Sequence, residues 1–264
     1  MPINTVSINA GELERICGLG WPGVESATIG GWWLRYGNGF TSRANSVLPL
    51  GSPGTDPRTA VAEVASWYAG RQLSPIFQIP TGASVAAEIS ALDAQLSSAG
   101  WTPGDTVAVL TGDITNALAR SLDGSADSNG LSVSVTDSPG EEWLSLSRYR
   151  GKPMPPAAVA VMSAGPSPAF LSISRGDRLV GVARVVVTQG WLGVTAVTVA
   201  EQVRRAGIGT AVMTAALSWG AQFGAESAYL QVEPDNEPAM NMYARLGFTE
   251  HHGYHYLLAP KGLR

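Results

Sequence analysis

At 264 residues, with 45% apolar and 14% charged side chains, the chain can bury a sizeable core, and its composition excludes a disordered polypeptide. A formal charge of −4 speaks against nucleic acid as a partner, since displacing counterions from phosphates needs a basic face. The single cysteine, Cys17, excludes an internal disulfide and any multi-cysteine metal site, and no apolar run approaches the ~20 residues that span a bilayer. Residues 1–10 lack the basic start and apolar block of a secretory signal, so a cytoplasmic protein with no membrane partner is expected.

Residues 39–47 (GFTSRANSV) open a first run of elements, followed by a helix over 57–70, a strand over 76–79, a helix over 84–98 and a strand over 106–110. The polar, turn-rich stretch 123–130 (DGSADSNG) reads as a linker, and we place a domain boundary there, between units 1–125 and 126–264. A strand at 131–135, short helices at 141–149 and 155–163, and a strand at 170–174 come next. The β-branched density of 179–187 (LVGVARVVV) marks a strand, joined by a Gln189-Gly190 turn to another over 191–199 (WLGVTAVTV). A charged loop then closes on Gly207 and Gly209. Ile208, Val212, Ala215, Ala216, Trp219 and Phe223 recur at helical spacing, so a helix over 210–223 follows, stopped by Gly224. The chain continues with a strand at 227–232 (SAYLQV), a helix at 236–245 with Pro238 in its first turn, and a closing strand at 253–258 (GYHYLL).

The two runs agree in the order and length of their elements, and Ala99-Gly100-Trp101 sits where Leu246-Gly247-Phe248 sits. This is an internal repeat, with little identity between the copies. Its chemistry lies in the second copy. The loop Arg204-x-x-Gly207-x-Gly209 joins a strand to a helix, where glycines admit close backbone approach and the helix start offers unpaired N–H groups. Such a place suits a pyrophosphate, and Arg204 and Arg205 add charge. By itself the loop is equally well explained as a tight turn. It is neither a dinucleotide fingerprint nor a P-loop, because Val212 stands at the third glycine position and no Gly-Lys-Ser/Thr follows.

Together with Asn236-x-x-Ala239-x-x-x-Tyr243-x-x-Leu246-Gly247-Phe248, the loop closely resembles the acetyl-CoA core of GNAT-superfamily N-acetyltransferases over residues 131–260, most specifically over 197–248. The resemblance implies the GNAT fold, a mixed α/β sheet with flanking helices, here in tandem with a degenerate first copy. It implies acetyl-CoA as cosubstrate, no metal, and transfer of the acetyl group to a primary amine of a small molecule or peptide without a covalent enzyme intermediate. It assigns the CoA pyrophosphate to Arg204, Arg205, Ala206, Gly207, Ile208, Gly209 and Thr210, and the pantetheine arm to the backbone of Val197 and Val199. Asn236 would contact the CoA arm, and Tyr243 would protonate the departing thiolate. A reference pKa of about 10 suits that role, and backbone N–H groups near Val199 would stabilise the oxyanion.

The base departs from the family. Several members carry glutamate where this chain has Gln231, which cannot take up a proton. Glu233, two residues on, is expected on the same strand face and is the first candidate, against the plain reading of a solvated carboxylate. A rival function follows: a catalytically silent acyl-CoA sensor that keeps the loop and lacks a base. An unrelated α/β binding module would have to treat Asn236, Tyr243 and the Leu-Gly-Phe ending as coincidence. Tyr254 and Tyr256 either line the acceptor pocket or pack as core aromatics.

In the first copy, Arg43-Ala44-Asn45-Ser46 stands where the strand before the pyrophosphate loop stands, but Gly51-Ser52-Pro53-Gly54 replaces the motif and Pro53 removes a donor N–H. Tandem GNAT proteins with one inactive half are known, and this half is similar to such a copy. Trp32-Trp33 reads as core or interface, the latter leaving a homodimer open. His251, His252 and His255 alternate between faces of one strand, a poor metal cage, and are expected on an exposed strand. Cys17 reads as a small core residue.

Overall fold

A computed structural model of the chain describes residues 8–83, 85–123, 130–148 and 151–263. Helix α1 (Ala10–Gly20) leads into the hairpin β1 (Glu25–Ile29) and β2 (Trp32–Tyr36). A 3-10 turn at Arg43–Asn45 precedes β3 (Val47–Pro49), α2 (Pro57–Ala69), β4 (Ile76–Thr81), α3 (Ala87–Ser98), β5 (Thr102–Asp113) and α4 (Ile114–Asp123). Then come β6 (Leu131–Thr136), α5 (Glu141–Leu146), α6 (Ala157–Met162), β7 (Ala169–Arg175), β8 (Arg178–Thr188) and β9 (Trp191–Val199). The chain ends with α7 (Ile208–Gln222), β10 (Ser227–Val232), α8 (Glu237–Arg245) and β11 (Thr249–Leu258).

The strands form one 11-stranded mixed sheet in the order β1-β2-β3-β4-β11-β5-β10-β9-β8-β7-β6. Only β3–β4 and β9–β10 are parallel pairs among the described residues. The expected repeat is present in the element order: β1-β2-β3-α2-β4-α3-β5 runs like β7-β8-β9-α7-β10-α8-β11. The copies exchange their last strands. β5 lies between β11 and β10, and β11 between β4 and β5, so each copy's sheet is completed by the other. Of the linker at 123–130, residues 124–129 lie outside the described residues, as do Ser84 and Tyr149 at the edges of two expected helices.

Strand alternation sends side chains to two different helical layers. Val107 and Val109 of β5 pack with Leu13, Ile16 and Cys17 of α1, together with Tyr229, Tyr254 and Tyr256. Ala108 and Leu110, on the opposite face, join the core under α4 and α7, with Val212, Ala216, Leu217 and Leu230. On that same face of the first copy, Trp32, Phe77, Val64 and Leu92 bury α2 and α3, with Trp32 edge-on to Phe77 at 5.2 Å. Trp32 is therefore core, as is Cys17.

Three sequence readings change. Residues 43–45 form a 3-10 turn, not the strand their position suggested, and the strand is Val47–Pro49. Helix α1 and the β1–β2 hairpin lie in a region read without elements. Helix α1 carries a full capping box, with Asn9 Oδ1 accepting from Glu12 N at 2.9 Å and the Glu12 carboxylate accepting from Asn9 N at 3.2 Å. The histidines are not on an exposed strand. A register shift between Glu250 and His252 breaks the alternation, and His252 is 3% exposed, its Nε2 3.0 Å from Glu14 Oε1. Glu14, fully buried, also accepts from Gln78 Nε2 at 2.7 Å, and Gln78 Oε1 accepts from Arg35 Nη2 at 2.8 Å. This polar chain ties α1 to β2, β4 and β11, and each charge in it has a buried partner.

Candidate active site

Strands β9 and β10 pair from Trp191↔Ser227 to Val194↔Leu230 and then part. Strand β9 runs on to Val199 paired with β8 alone. Between Thr195 and Thr198, β9 has two residues where β8 has one, and Ala196 has φ +53°. Such a bulge bends its strand and raises the twist, which accounts for the parting. The gap opens a cleft of about 1380 Å³. Single-ligand sites usually measure roughly 300–1,000 Å³, so this one has room for two reactants.

On the α7 side the cleft is lined by Val197, Val199, Arg204, Arg205, Gly207, Gly209, Thr210, Asn236 and Tyr243. Ala206 and Ile208 are absent from that wall. Ile208 is buried beneath the loop, so only its backbone can serve a ligand. Gly207 is the N-cap of α7 with φ +74°, and no side chain caps the helix. The first N–H groups of α7 thus open toward the cleft with the positive end of its dipole. A Cβ on Gly209 would stand 2.8 Å from Met242 Sδ, so glycine there lets α7 and α8 close together. Arg204 and Arg205 are exposed, and Arg204 has a 3.6 Å ion pair with Glu201.

The first copy lacks these openings. Asp56 caps α2, its Oδ1 accepting from Arg58 N at 2.9 Å and Thr59 N at 3.4 Å. The Gly30-Gly31 turn covers the adjoining loop: Gly31 N donates to Ser52 O at 2.7 Å, and a Cβ on Gly30 would meet the Pro53 carbonyl at 2.3 Å. A carboxylate and a hairpin fill the space where an anion would bind.

Tyr243, on α8, is buried in the core edge of the cleft, and loss of solvent pushes its phenol up to about 12. Asn236 lines the same wall while its Oδ1 caps α8 by accepting from Ala239 N at 3.3 Å. Gln231 and Glu233 both line the cleft, but β10 ends at Val232, so the shared strand face expected for them does not extend to Glu233, which is exposed. Both amide atoms of Gln231 are buried without a hydrogen-bond partner among the described residues.

The rest of the lining includes Trp21, Phe40, Thr41, Ser42, Arg43 and Asp105 of the first copy, Tyr254 and Tyr256 of β11, and Ser147, Arg148, Met154 and Met162 around α5 and α6. Sequence reasoning missed Trp21, Phe40 and Arg43 as site residues. They flank a segment with no regular periodicity, and only the fold brings it across the sheet. Tyr254 and Tyr256 are both core aromatics and lining residues, so the two readings of them are not exclusive.

The family described as "Probable histone acetyltransferase Rv0428c C-terminal" matches residues 7–257. The chain belongs to this family. It is 30% identical over 268 residues to the "Probable histone acetyltransferase Rv0428c" of Mycobacterium tuberculosis, covering 98% of this chain and 76% of that protein. The fold matches a GCN5-related N-acetyltransferase from Kribbella flavida at TM-score 0.70 and 18% identity, covering 96% of each chain. It also matches a tandem GNAT protein from the clavulanic acid biosynthesis pathway at TM-score 0.60 and 16% identity, covering 76% of this chain and 69% of that one. The chain is a GNAT-superfamily protein, and the relatives it matches carry acetyltransferase names. No helix among its described residues is long and apolar enough to cross a membrane.

Proposed function

We propose that the chain moves the acetyl group of acetyl-CoA to a primary amine, directly and within a ternary complex. The observation that carries this reading is the contrast between copies: the N-terminus of α7 is open beside the parted strands, whereas that of α2 is closed by Asp56 and by a hairpin. In this reading residues 126–264 form the catalytic unit, and residues 1–125 a degenerate copy that supplies the far wall. The pyrophosphate lies on the loop from Arg204 to Thr210, and the pantetheine arm runs along Val197 and Val199 toward Asn236. The amine attacks the thioester carbonyl from the Trp21 side. A C–N bond forms, the C–S bond breaks, the departing thiolate takes the Tyr243 proton, and the second proton shed by the acylated nitrogen returns through water to the Tyr243 phenolate. The ammonium proton leaves earlier, to Glu233 or to water in contact with it. Backbone N–H groups at the bend of β9 face the developing oxyanion.

The test has two stages, calorimetric titration of acetyl-CoA and then CoA release across a panel of amines. No heat of acetyl-CoA binding would overturn the assignment at its first step. A lysine of a basic protein is the second reading for the acceptor, favoured by the name of the Mycobacterium tuberculosis relative.

A further inference from the structure

The far wall of the cleft carries polar groups with no use in the acetyl-transfer steps. Arg43 and Tyr254 line it. The Tyr254 side chain is fully buried, and its hydroxyl has no hydrogen-bond partner, nor does the buried Arg43 Nε. The Tyr254 hydroxyl lies within electrostatic reach of the Arg43 guanidinium and of the Tyr256 phenol, though neither contact meets hydrogen-bond geometry. Among the described residues no carboxylate forms an ion pair with Arg43. A second cation stands behind it. Arg184, fully buried, lies 4.7 Å over the Trp21 ring while Arg43 lies 5.7 Å from that ring. Three contacts occupy Arg184: Nε donates to Met162 O at 2.5 Å, and Nη2 to Gly20 O at 3.0 Å and Ala164 O at 2.8 Å. Its Nη1 remains without a partner.

Leaving several buried donors unpaired is costly, and native proteins rarely do so without a function. Every one of these donors is cationic or phenolic, and Gln231 adds an amide that is equally unpartnered. Burial and the proximity of Arg43 both disfavour the charge on Arg184. A bound anion would relieve that repulsion. A second cation, such as the neighbouring lysines of a basic tail, would add to it.

Resting on the acetyltransferase reading above, we infer that the acceptor is a small amino acid whose carboxylate is held by the half-buried Arg43 guanidinium, with the buried Tyr254 hydroxyl behind it and the acceptor's amine turned toward the thioester. A planar guanidinium suits a carboxylate because its N–H groups match the two oxygens. Trp21 and Phe40 provide an apolar wall for the acceptor's side chain. The reaction itself is unchanged: the carboxylate orients the acceptor and takes no part in bond making.

The experiment compares phenylalanine, leucine and β-alanine, each beside its own carboxamide, and a lysine-rich peptide, with CoA release as the readout. Acetyl-CoA affinity is measured on the same protein. At least one acid should exceed its amide by about 10- to 100-fold in kcat/KM, the scale of a charge-assisted hydrogen bond. Arg43→Gln should erase that ratio, Arg43→Lys should keep part of it, and neither should shift acetyl-CoA affinity by more than a few-fold. Should Arg43→Gln fail to fold, the acid-to-amide ratio of the unmodified protein decides alone. Amides or the basic peptide accepted as well as the acids would overturn the inference. So would acetyl-CoA binding with no acid accepted. Absent acetyl-CoA binding would instead overturn the underlying reading.

Discussion

Tyr243 follows Asn236 by seven residues, almost two helical turns, so both reach the same side of the cleft. Burial makes its phenol a weaker acid, pushed up to about 12, so it stays protonated until a strong base arrives. The same loss of solvent raises the basicity of a thiolate expelled beside it, which narrows the gap between the two groups. Tyr243→Phe keeps the ring's packing against Phe248 and removes only the proton. Acetyl-CoA affinity should stay within a few-fold while kcat falls by about 10²-fold, the usual scale for loss of a general acid. Turnover at the wild-type rate would make Tyr243 a packing residue, whereas no turnover by the wild-type protein with any amine would favour the silent sensor. Glu14 carries a different kind of residue-level prediction. Glu14→Ala strips the buried partners from Gln78 Nε2 and His252. It should cost about 3 kcal/mol in denaturant unfolding, the scale of breaking a buried charged pair. A loss under about 0.5 kcal/mol, as at an ordinary surface site, would mean that water replaces the carboxylate.

At the scale of elements, the loop before α7 depends on two glycines for different reasons. Gly207 needs its φ of +74°, which a β-branched residue rarely adopts, although a Cβ there would meet open space. Gly209 has an ordinary φ but sits against Met242 Sδ. Gly207→Val should therefore weaken acetyl-CoA by distorting the first turn of α7, and Gly209→Val by pushing α8 outward. We expect at least about a 10-fold loss in calorimetry for each, of the order of one or two backbone hydrogen bonds. Gly209→Ala should be milder, because the end of a methionine side chain can move. Unchanged affinity in both valine variants would remove the loop from the site. The sequence made these elements legible where β-branched density and glycine stops were strong: β9 and β10 fall on their expected residues, and α7 starts only two residues early. Helix α1 escaped because Gly11, Gly18 and Gly20 dilute its pattern, although Asn9-x-x-Glu12 spells a capping box. The bulge at Ala196 was not legible at all. A positive φ at an alanine is imposed by pairing with β8 and leaves no mark on composition. Arg43 and Trp21 entered the site for a similar reason, since only the assembled sheet brings them to the cleft.

For the whole molecule, the exchange of β5 and β11 makes the two copies one sheet, yet their phosphate-side helices differ in electrostatics. Helix α2 begins with the Asp56 carboxylate on its first N–H groups and the Gly30-Gly31 turn against its loop, while α7 begins uncapped between Arg205 and the cleft. An anion approaching α2 would have to displace a carboxylate already hydrogen-bonded there and then contend with its charge. One chain should therefore bind one acetyl-CoA. Calorimetric titration should give a stoichiometry near one, and Gly207→Val should remove that site without uncovering another. Asp56→Ala tests the cause. It frees the N–H groups of α2 but leaves the hairpin in place, so it should cost about 1 kcal/mol of stability, as lost N-caps do, and create no second site. Two equivalent sites in the unmodified chain would refute the assignment of acetyl-CoA to the second copy alone. A second site appearing only in Asp56→Ala would show that one carboxylate, and not the hairpin, keeps the first copy silent.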